Sequence, residues 1–88
     1  MKGVNDLNKR KFFAQILNNS KNVKYDDFVT LIKAFGYEYV RTNGSHNIYE
    51  HKDVPEPLNI QNRKGETKPY QVKQFLAFVE KYNLKLED

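Results

Sequence analysis

The residues best suited to chemistry lie between Arg41 and Tyr49, where the chain reads Asn43-Gly44-Ser45-His46 before a strand-like segment. An Asn-Gly pair between two such segments is the strongest short-range signal for a β-hairpin, because both residues tolerate positive φ. The turn would present His46 at the start of the second strand. Since the ordinary pKa of histidine is near neutrality, an imidazole there can take a proton from a ribose 2′-hydroxyl or give one to a departing 5′-oxygen.

The surroundings of the turn favour chemistry on RNA. From spacing alone, the simpler interpretation is that His46 makes one hydrogen bond at a strand end and has no catalytic role. Nearby cations favour a catalytic role instead, because arginine or lysine can stabilise the charge that builds up on phosphate. Arg41 stands across the turn, and Lys64 and Lys68 lie in a later loop that can approach it. These three side chains are therefore candidate phosphate contacts.

Tyrosines interleaved with cations are candidates for stacking on unpaired bases. The chain offers Tyr37, Tyr39, Tyr49 and Tyr70. Most tyrosines in a small domain pack half-buried, so we expect one or two of them to meet RNA. Tyr49, on the same strand as His46, is the candidate base platform.

Other catalytic arrangements are not indicated. His51 is predicted to be a solvated histidine at the far end of the strand and on its other face, which argues against a histidine pair or a shared metal site. Ser45 and His46 do not form a hydrolase pair, because adjacent strand residues point to opposite faces. The acidic residues are scattered along the sequence. We therefore predict no metal site and no small-molecule cofactor.

Composition limits the chain to one small basic domain, residues 1–88. A chain of 88 residues cannot bury a second core. Its 15 Lys and Arg against 11 Asp and Glu give a net charge of +4, which favours polyanions but is also common in small soluble domains. Without cysteine there are no disulfides and no thiolate metal sites. No apolar run approaches the ~20 residues of a membrane span and no signal peptide is evident, so we expect a cytoplasmic protein without membrane contact.

Hydrophobic periodicity predicts an α+β fold with the element order α-α-β-β-β-α. Residues 5–19 are predicted to form an extra helix appended to a core of residues 25–83, with Phe13, Ile16 and Leu17 on one face. The second helix carries its apolar residues at i, i+3, i+4 and i+7, and Gly36 follows as a left-handed cap. These apolar residues are Phe28, Leu31, Ile32 and Phe35.

The strands are predicted at residues 37–42, 45–51 and 58–61. Ile48 would point to the core with His46 on its face, and Leu58 and Ile60 would also point inward. The two prolines in residues 53–57 indicate a loop.

A final helix is predicted from Pro69 to about Tyr82, and residues 85–88 form a frayed tail. One face of the three-stranded antiparallel sheet would be covered by helices.

Four segments of the chain resemble the HicA family of toxin ribonucleases from toxin–antitoxin pairs. They are the helix Phe28-Val29-Thr30-Leu31-Ile32-Lys33-Ala34-Phe35-Gly36-Tyr37, the turn Gly44-Ser45-His46-Asn47-Ile48-Tyr49, the strand Pro57-Leu58-Asn59-Ile60-Gln61 and the helix start Lys68-Pro69-Tyr70-Gln71-Val72-Lys73-Gln74. They occur in family order, and the resemblance covers about residues 21–83. Together they are fairly specific, whereas Gly-Ser-His alone is not.

The resemblance implies a fold like that of the double-stranded-RNA-binding domain. It also implies mRNA cleavage that needs neither metal nor ribosome, and neutralisation by a HicB antitoxin that covers the active face. Carried over by position, His46 matches the catalytic histidine, and Gly44 and Ser45 match the turn that presents it. The chain departs from the family at Asn47, where relatives often have a second histidine, and in the loop 62–68.

Two alternatives to an endoribonuclease remain open at this stage. One is a non-catalytic RNA-binding module of the same fold. The other is a protein that acts chiefly as a binding partner in a complex. Three outcomes distinguish these hypotheses. An endoribonuclease degrades RNA in EDTA, whereas a binding module binds RNA in a salt-dependent way without cleaving it. A binding partner associates tightly with an acidic protein and has no affinity for RNA.

Overall fold

The architecture is α+β, as predicted, in a computed structural model that describes the backbone of residues 2–87 and the side chains of residues 9–87. The helices are α1 (Lys2–Asn18), α2 (Tyr25–Ala34) and α3 (Pro69–Lys81). An antiparallel sheet of order β2-β3-β4 contains β2 (Glu38–Asn43), β3 (His46–His51) and β4 (Val54–Ile60). A separate two-stranded antiparallel sheet pairs β1 (Val23–Lys24) with β5 (Glu66–Thr67). The sequence patterns do not indicate this second sheet. None of the helices within residues 2–87 has the length and apolar character to cross a bilayer.

Helix α2 forms as its apolar spacing predicts. Phe28, Leu31 and Ile32 are at most 1% exposed, and the two aspartates of the first turn, Asp26 and Asp27, suit the positive end of the helix dipole. After the helix ends, Gly36 adopts φ +99°. A Cβ at this position would lie 2.9 Å from Nε2 of His51, so both conformation and space require glycine here.

The hydrophobic core lies between the helices and one face of the β2-β3-β4 sheet. At its centre, Phe75 of α3 is fully buried. Its ring packs edge-on against Phe28, Phe35 and Tyr37, with centroid distances of 5.5, 5.4 and 6.0 Å. This aromatic cluster joins α2, α3 and the segment that leads into β2.

Helix α1 is part of this core rather than an appendage. Ile16 is 2% exposed and belongs to the core cluster, and the ring of Phe13 packs 5.0 Å from that of Phe35. Leu17, predicted to share the buried face, is 58% exposed. Consecutive helical residues are about 100° apart around the axis, so the burial of Ile16 turns Leu17 towards solvent.

The register of the main sheet corrects the predicted faces of β3. Tyr49 pairs with the fully buried Leu58 and joins the core cluster, whereas Ile48 pairs with Asn59 and does not. Directly paired residues share a face, so the inward side chains of β4 set the inward set of β3. Ile48 is shielded from solvent, but it shares the outer face of the sheet with His46.

Strand β4 includes the segment predicted to be a loop. It begins at Val54 and contains Pro55 and Pro57. As an edge strand, β4 tolerates residues without a backbone N–H, and its register with β3 shifts between Tyr49 and His51, beside the prolines. The two prolines therefore mark an irregular edge.

The carboxyl-terminal segment is docked on α2 and is not frayed. Leu84 is 7% exposed, Leu86 packs against the core, and the backbone N–H of Glu87 donates to the carbonyl of Ala34 at 2.7 Å. Asp88 lies outside the described residues. The apolar pattern Leu84-x-Leu86 explains the docking, because it supplies buried contacts beyond α3.

His51 is a structural histidine, contrary to the prediction of a solvated side chain. It is 8% exposed, its Nε2 donates to the carbonyl of Phe35 at 2.8 Å, and its Nδ1 accepts from the backbone N–H of Asp53 at 3.0 Å. One ring nitrogen donates and the other accepts, which is the hydrogen-bonding pattern of the Nε2–H tautomer. The two bonds fix the end of β3 against the end of α2.

Tyr37 offers a test of this packing. Its side chain is 2% exposed and its hydroxyl has no hydrogen-bond partner within the described chain, and burial raises its pKa to about 12. Tyr37→Phe is therefore expected to keep or raise the free energy of unfolding at neutral pH, because no hydrogen bond is lost.

The same variant has a signature at high pH. Unfolded Tyr37 ionises near its ordinary pKa of about 10, whereas the folded residue ionises only near 12. The wild type therefore loses stability as pH rises from about 10 to 12, and Tyr37→Phe lacks this contribution. Urea unfolding of both proteins from pH 8 to 11 measures the difference. An equal decline in the two proteins would contradict the burial of this hydroxyl.

Candidate active site

A two-residue turn joins β2 to β3 and sets the position of His46. Asn43 pairs directly with His46, so the turn residues are Gly44 and Ser45, one position later than the sequence predicts. Of these two, only Gly44 has positive φ, at +62°. Glycine at the first central position suits this kind of tight hairpin. His46 is consequently the first residue of β3.

The imidazole of His46 is held in one orientation on the outer face of the sheet. Its Nδ1 lies 2.8 Å from Oδ1 of Asn59. An amide oxygen can only accept, so Nδ1 carries the proton of the neutral ring and Nε2 has the free lone pair. The side chain is half-buried, and Nε2 is approached only at 3.5 Å by the amide nitrogen of Gln61. This long contact leaves Nε2 able to accept a proton.

Gln61 connects the histidine, the turn and α3. Its Nε2 donates to Oγ of Ser45 at 2.8 Å, and its backbone N–H donates to Oε1 of Gln71 at 3.1 Å. Gln71 is 1% exposed, so this acceptor is fixed in the core. The end of β4 is thereby anchored, and the Gln61 amide is placed between Ser45 and His46.

Asn59 and Gln61 were not identified as site residues from sequence. A signal for them exists, since Leu58 and Ile60 point inward and alternation sends Asn59 and Gln61 to the outer face. Recognising that this is also the face of His46 requires the register between β3 and β4.

Asn47 braces the hairpin from the opposite face. Its Nδ2 donates to Oη of Tyr25 at 2.6 Å, and its Oδ1 accepts from Oγ1 of Thr42 at 2.7 Å. Burial raises the pKa of the Tyr25 hydroxyl, with the Asn47 hydrogen bond acting in the other direction. Asn47 therefore ties the strand that carries His46 to the first residue of α2.

The predicted cations lie at different distances from the imidazole. Arg41 pairs with Ile48 across the sheet and so shares the outer face with His46. Lys68 lines a hollow of about 210 Å³ together with Ser45 and Gln61. Lys64 lines an adjacent hollow instead, and this second hollow lies further from the histidine.

The predicted base platform is not brought to the histidine. Tyr49 is 6% exposed and lies on the core face, opposite His46, and burial raises the pKa of its hydroxyl. Its ring is covered by the core and cannot receive a base. Among the side chains of residues 9–87, no group of three or more His, Cys, Asp or Glu is placed to hold a metal ion.

Comparison with known proteins assigns the family. Residues 25–79 match the family model described as the HicA toxin of bacterial toxin–antitoxin systems, and this match spans more than half of the chain. The chain belongs to the HicA toxin family. No curated protein and no solved structure matches it significantly. The α+β arrangement of this HicA chain agrees with the fold like the double-stranded-RNA-binding domain that the resemblance implied.

Membership places the chain on the toxin side of a toxin–antitoxin pair. HicA toxins generally cleave mRNA, which gives the chain an RNase-type function. The matched segment contains His46, Asn59 and Gln61, whereas Ile16 of α1 lies before it although it belongs to the core.

Proposed function

We propose that this HicA toxin is an endoribonuclease that cleaves mRNA by metal-independent acid–base catalysis with His46, and that a HicB-like antitoxin inhibits it. The observation that carries the proposal is the 2.8 Å contact between Nδ1 of His46 and Oδ1 of Asn59, because an amide oxygen in this position favours the Nδ1–H tautomer. Asn59 holds the proton on Nδ1, and the unprotonated Nε2 faces the outer surface of the sheet. A proton acceptor in this state is what attack by a ribose 2′-hydroxyl requires.

The reaction follows from this geometry. Nε2 of His46 takes the proton of the 2′-hydroxyl, and the 2′-oxygen forms a bond to the adjacent phosphorus. The bond from phosphorus to the 5′-oxygen then breaks, and the imidazolium of His46 gives the proton on Nε2 to that oxygen, which regenerates the starting form of the ring. The products are a 2′,3′-cyclic phosphate and a 5′-hydroxyl. Asn59 accepts a hydrogen bond from Nδ1 throughout, so the imidazolium that forms is stabilised and stays in place.

Cations on the same surface would stabilise the charge that develops on the phosphate. Arg41 shares the outer face, and Lys68 and Ser45 line the neighbouring hollow. Gly44 contributes by permitting the tight turn. Lys64 would contact the RNA strand further from the scissile phosphate. Preorganised positive charge of this kind is commonly among the largest contributions to catalysis.

Purified protein and naked mRNA test the reaction directly. Cleavage in EDTA, without ribosomes, with cyclic phosphate and 5′-hydroxyl ends is the expected result. Expression in bacteria should arrest growth, and coexpression of the antitoxin should relieve the arrest. Salt-dependent binding of RNA that remains intact would favour the non-catalytic RNA-binding module instead.

Asn59 provides a sharper test of the tautomer. Asn59→Ala removes the acceptor for Nδ1, so kcat is expected to fall about tenfold, the equivalent of about 1.4 kcal/mol, which lies within the range for one hydrogen bond. KM should change little, since Asn59 acts through the imidazole. Nitrogen-15 NMR of the ring should show a mixed tautomer in the variant and the Nδ1–H form in the wild type. Unchanged kcat with an unchanged tautomer would contradict this role.

A further inference from the structure

A second group of polar side chains surrounds the turn at residues 63–66, next to the active site. The backbone N–H of Arg63 donates to the carbonyl of Glu66 at 2.8 Å, and the reverse bond measures 3.0 Å. The two residues between them have positive φ, +53° at Lys64 and +87° at Gly65. Oδ1 of Asn62 accepts from the N–H of Gly65 at 2.7 Å. The segment that looks like an exposed loop in the sequence is thus a tight two-residue turn.

This turn is attached to the body of the protein on two sides. Strand β5, which follows it, pairs with β1. The carbonyl of Gly65 accepts from the N–H of Tyr25 at 2.9 Å, which connects the turn to the start of α2. Its cations are therefore carried on a fixed backbone, which lowers the entropy cost of binding an anion.

The turn forms the wall of two adjoining hollows that share Arg63 and Lys68. The first, about 210 Å³, is the one that reaches Ser45 and Gln61 beside His46. The second, about 370 Å³, is lined by Arg63, Lys64, Glu66, Thr67, Lys68 and Pro69. Together these adjoining hollows, here called the path, extend away from the imidazole.

Positive charge dominates this path. Arg63, Lys64 and Lys68 face a single acidic side chain, Glu66. In the part of the chain that the structure describes, the side chains of Arg63 and Lys64 have no hydrogen-bond or ion-pair partner. Cations without partners on a fixed turn are available for phosphate.

A buried hydroxyl in the wall is also without a partner. Thr67 is 2% exposed and lines the second hollow, and its Oγ1 forms no hydrogen bond to any described residue. Buried polar atoms are nearly always hydrogen-bonded, so an unsatisfied donor here points to a ligand that supplies an acceptor.

An exposed aromatic ring stands at the end of the path. Tyr70 is 61% exposed, and Nζ of Lys68 lies 6.0 Å from its ring centroid. Its hydroxyl accepts from Nε2 of the buried Gln71 at 3.4 Å. An exposed aromatic beside cations is the usual means of binding unpaired nucleotides.

We infer that the two hollows and Tyr70 form a nucleotide subsite for single-stranded RNA next to the scissile bond. Arg63 and Lys68 bind the neighbouring phosphodiester, Lys64 adds charge along the path, and Tyr70 stacks on the unpaired base. The inference rests on the proposed function, because the strand is taken to run from His46 into this subsite.

Binding to a catalytically disabled protein tests the subsite separately from catalysis. Each variant is made in the full chain carrying His46→Ala and is titrated with a labelled single-stranded oligoribonucleotide of about 12 nucleotides. Lys68→Ala and Arg63→Ala should each weaken binding about tenfold and reduce the slope of log K against log salt by about 1. Lys73→Ala, an exposed lysine of α3 outside both hollows, is the matched control and should bind like its parent.

Three further variants separate stacking and charge from general basicity. Tyr70→Ala should weaken binding of the single strand about tenfold, while Tyr70→Phe should bind like the parent because the ring is retained. Glu66→Gln should tighten binding, since it removes the one negative charge of the path. Circular dichroism confirms that each variant is folded.

The outcomes distinguish the two proposals. Weaker binding of Lys68→Ala and Tyr70→Ala supports the subsite even if the wild type proves unable to cleave RNA. If the wild type cleaves RNA but Arg63, Lys68 and Tyr70 variants bind as Lys73→Ala does, the subsite is overturned and the catalytic proposal stands.

Discussion

Replacing His46 by alanine is expected to lower the rate of RNA cleavage by about 10²–10⁴-fold. The substitution removes the nitrogen that we propose as the acceptor of the 2′-hydroxyl proton, and it leaves the positive surface in place. The fold should survive, because the imidazole lies on the outer face and its polar contacts are to Asn59 and Gln61 rather than to the core. Single-turnover cleavage of a labelled RNA measures the loss, and expression of the variant should no longer arrest growth.

The other histidine of the chain supplies a matched comparison. His51→Ala loses one buried and one partly buried hydrogen bond and should lower the free energy of unfolding by about 2 kcal/mol. Its cleavage rate per folded molecule should equal that of the wild type. A folded His46→Ala protein that cuts RNA at the wild-type rate would refute the catalytic assignment.

Replacing Phe75 by alanine is expected to have the largest effect on stability, a loss of about 3–5 kcal/mol in the free energy of unfolding. The ring is fully buried and touches three other aromatic rings, Phe28, Phe35 and Tyr37. Its removal leaves a cavity where α2, α3 and the sheet meet. Small domains are stable by only about 5–15 kcal/mol. The variant should therefore unfold at a much lower urea concentration and temperature than the wild type.

Two control substitutions test whether the loss of stability comes from the cavity left by Phe75. Phe75→Leu keeps most of the volume and should cost less than half as much. Leu17→Ala truncates a side chain that is 58% exposed and should change stability by no more than about 0.5 kcal/mol. A loss below about 1 kcal/mol for Phe75→Ala would contradict the packing described here.

Local patterns predict most of the elements. Helix α2 is predictable because its apolar residues recur at helical spacing, and because Gly36 follows its last turn. The hairpin is predictable because Gly44 allows a tight turn between two strand-like segments. In both cases the physical cause operates within a few residues, so the sequence alone contains it.

Features that depend on distant partners are not predictable in this way. The face of β3 is decided by the register with β4, which is why Tyr49 and not Ile48 joins the core. The small sheet pairs residues about 40 positions apart, and two-residue strands leave no periodicity to detect. The burial of His51 depends on a carbonyl of Phe35 at the end of α2.

The residues of the candidate site also differ in whether local sequence or distant partners determine them. His46 follows from turn chemistry together with the family resemblance. Asn59 and Gln61 become visible only when two strands are aligned, because an amide on a strand has no distinctive sequence signal. The turn at residues 63–66 is also concealed, since Lys64 is not a residue that usually marks positive φ.

The placement of His46 on the outer face affects how mutation can abolish the toxicity of such a protein. Core substitutions produce unfolded chains that cellular proteases remove. Under the proposed mechanism, a change of the single codon for His46 would inactivate the protein while leaving it folded and resistant to those proteases. Selection against toxicity should therefore favour folded but inactive chains that persist at normal abundance and continue to occupy the antitoxin.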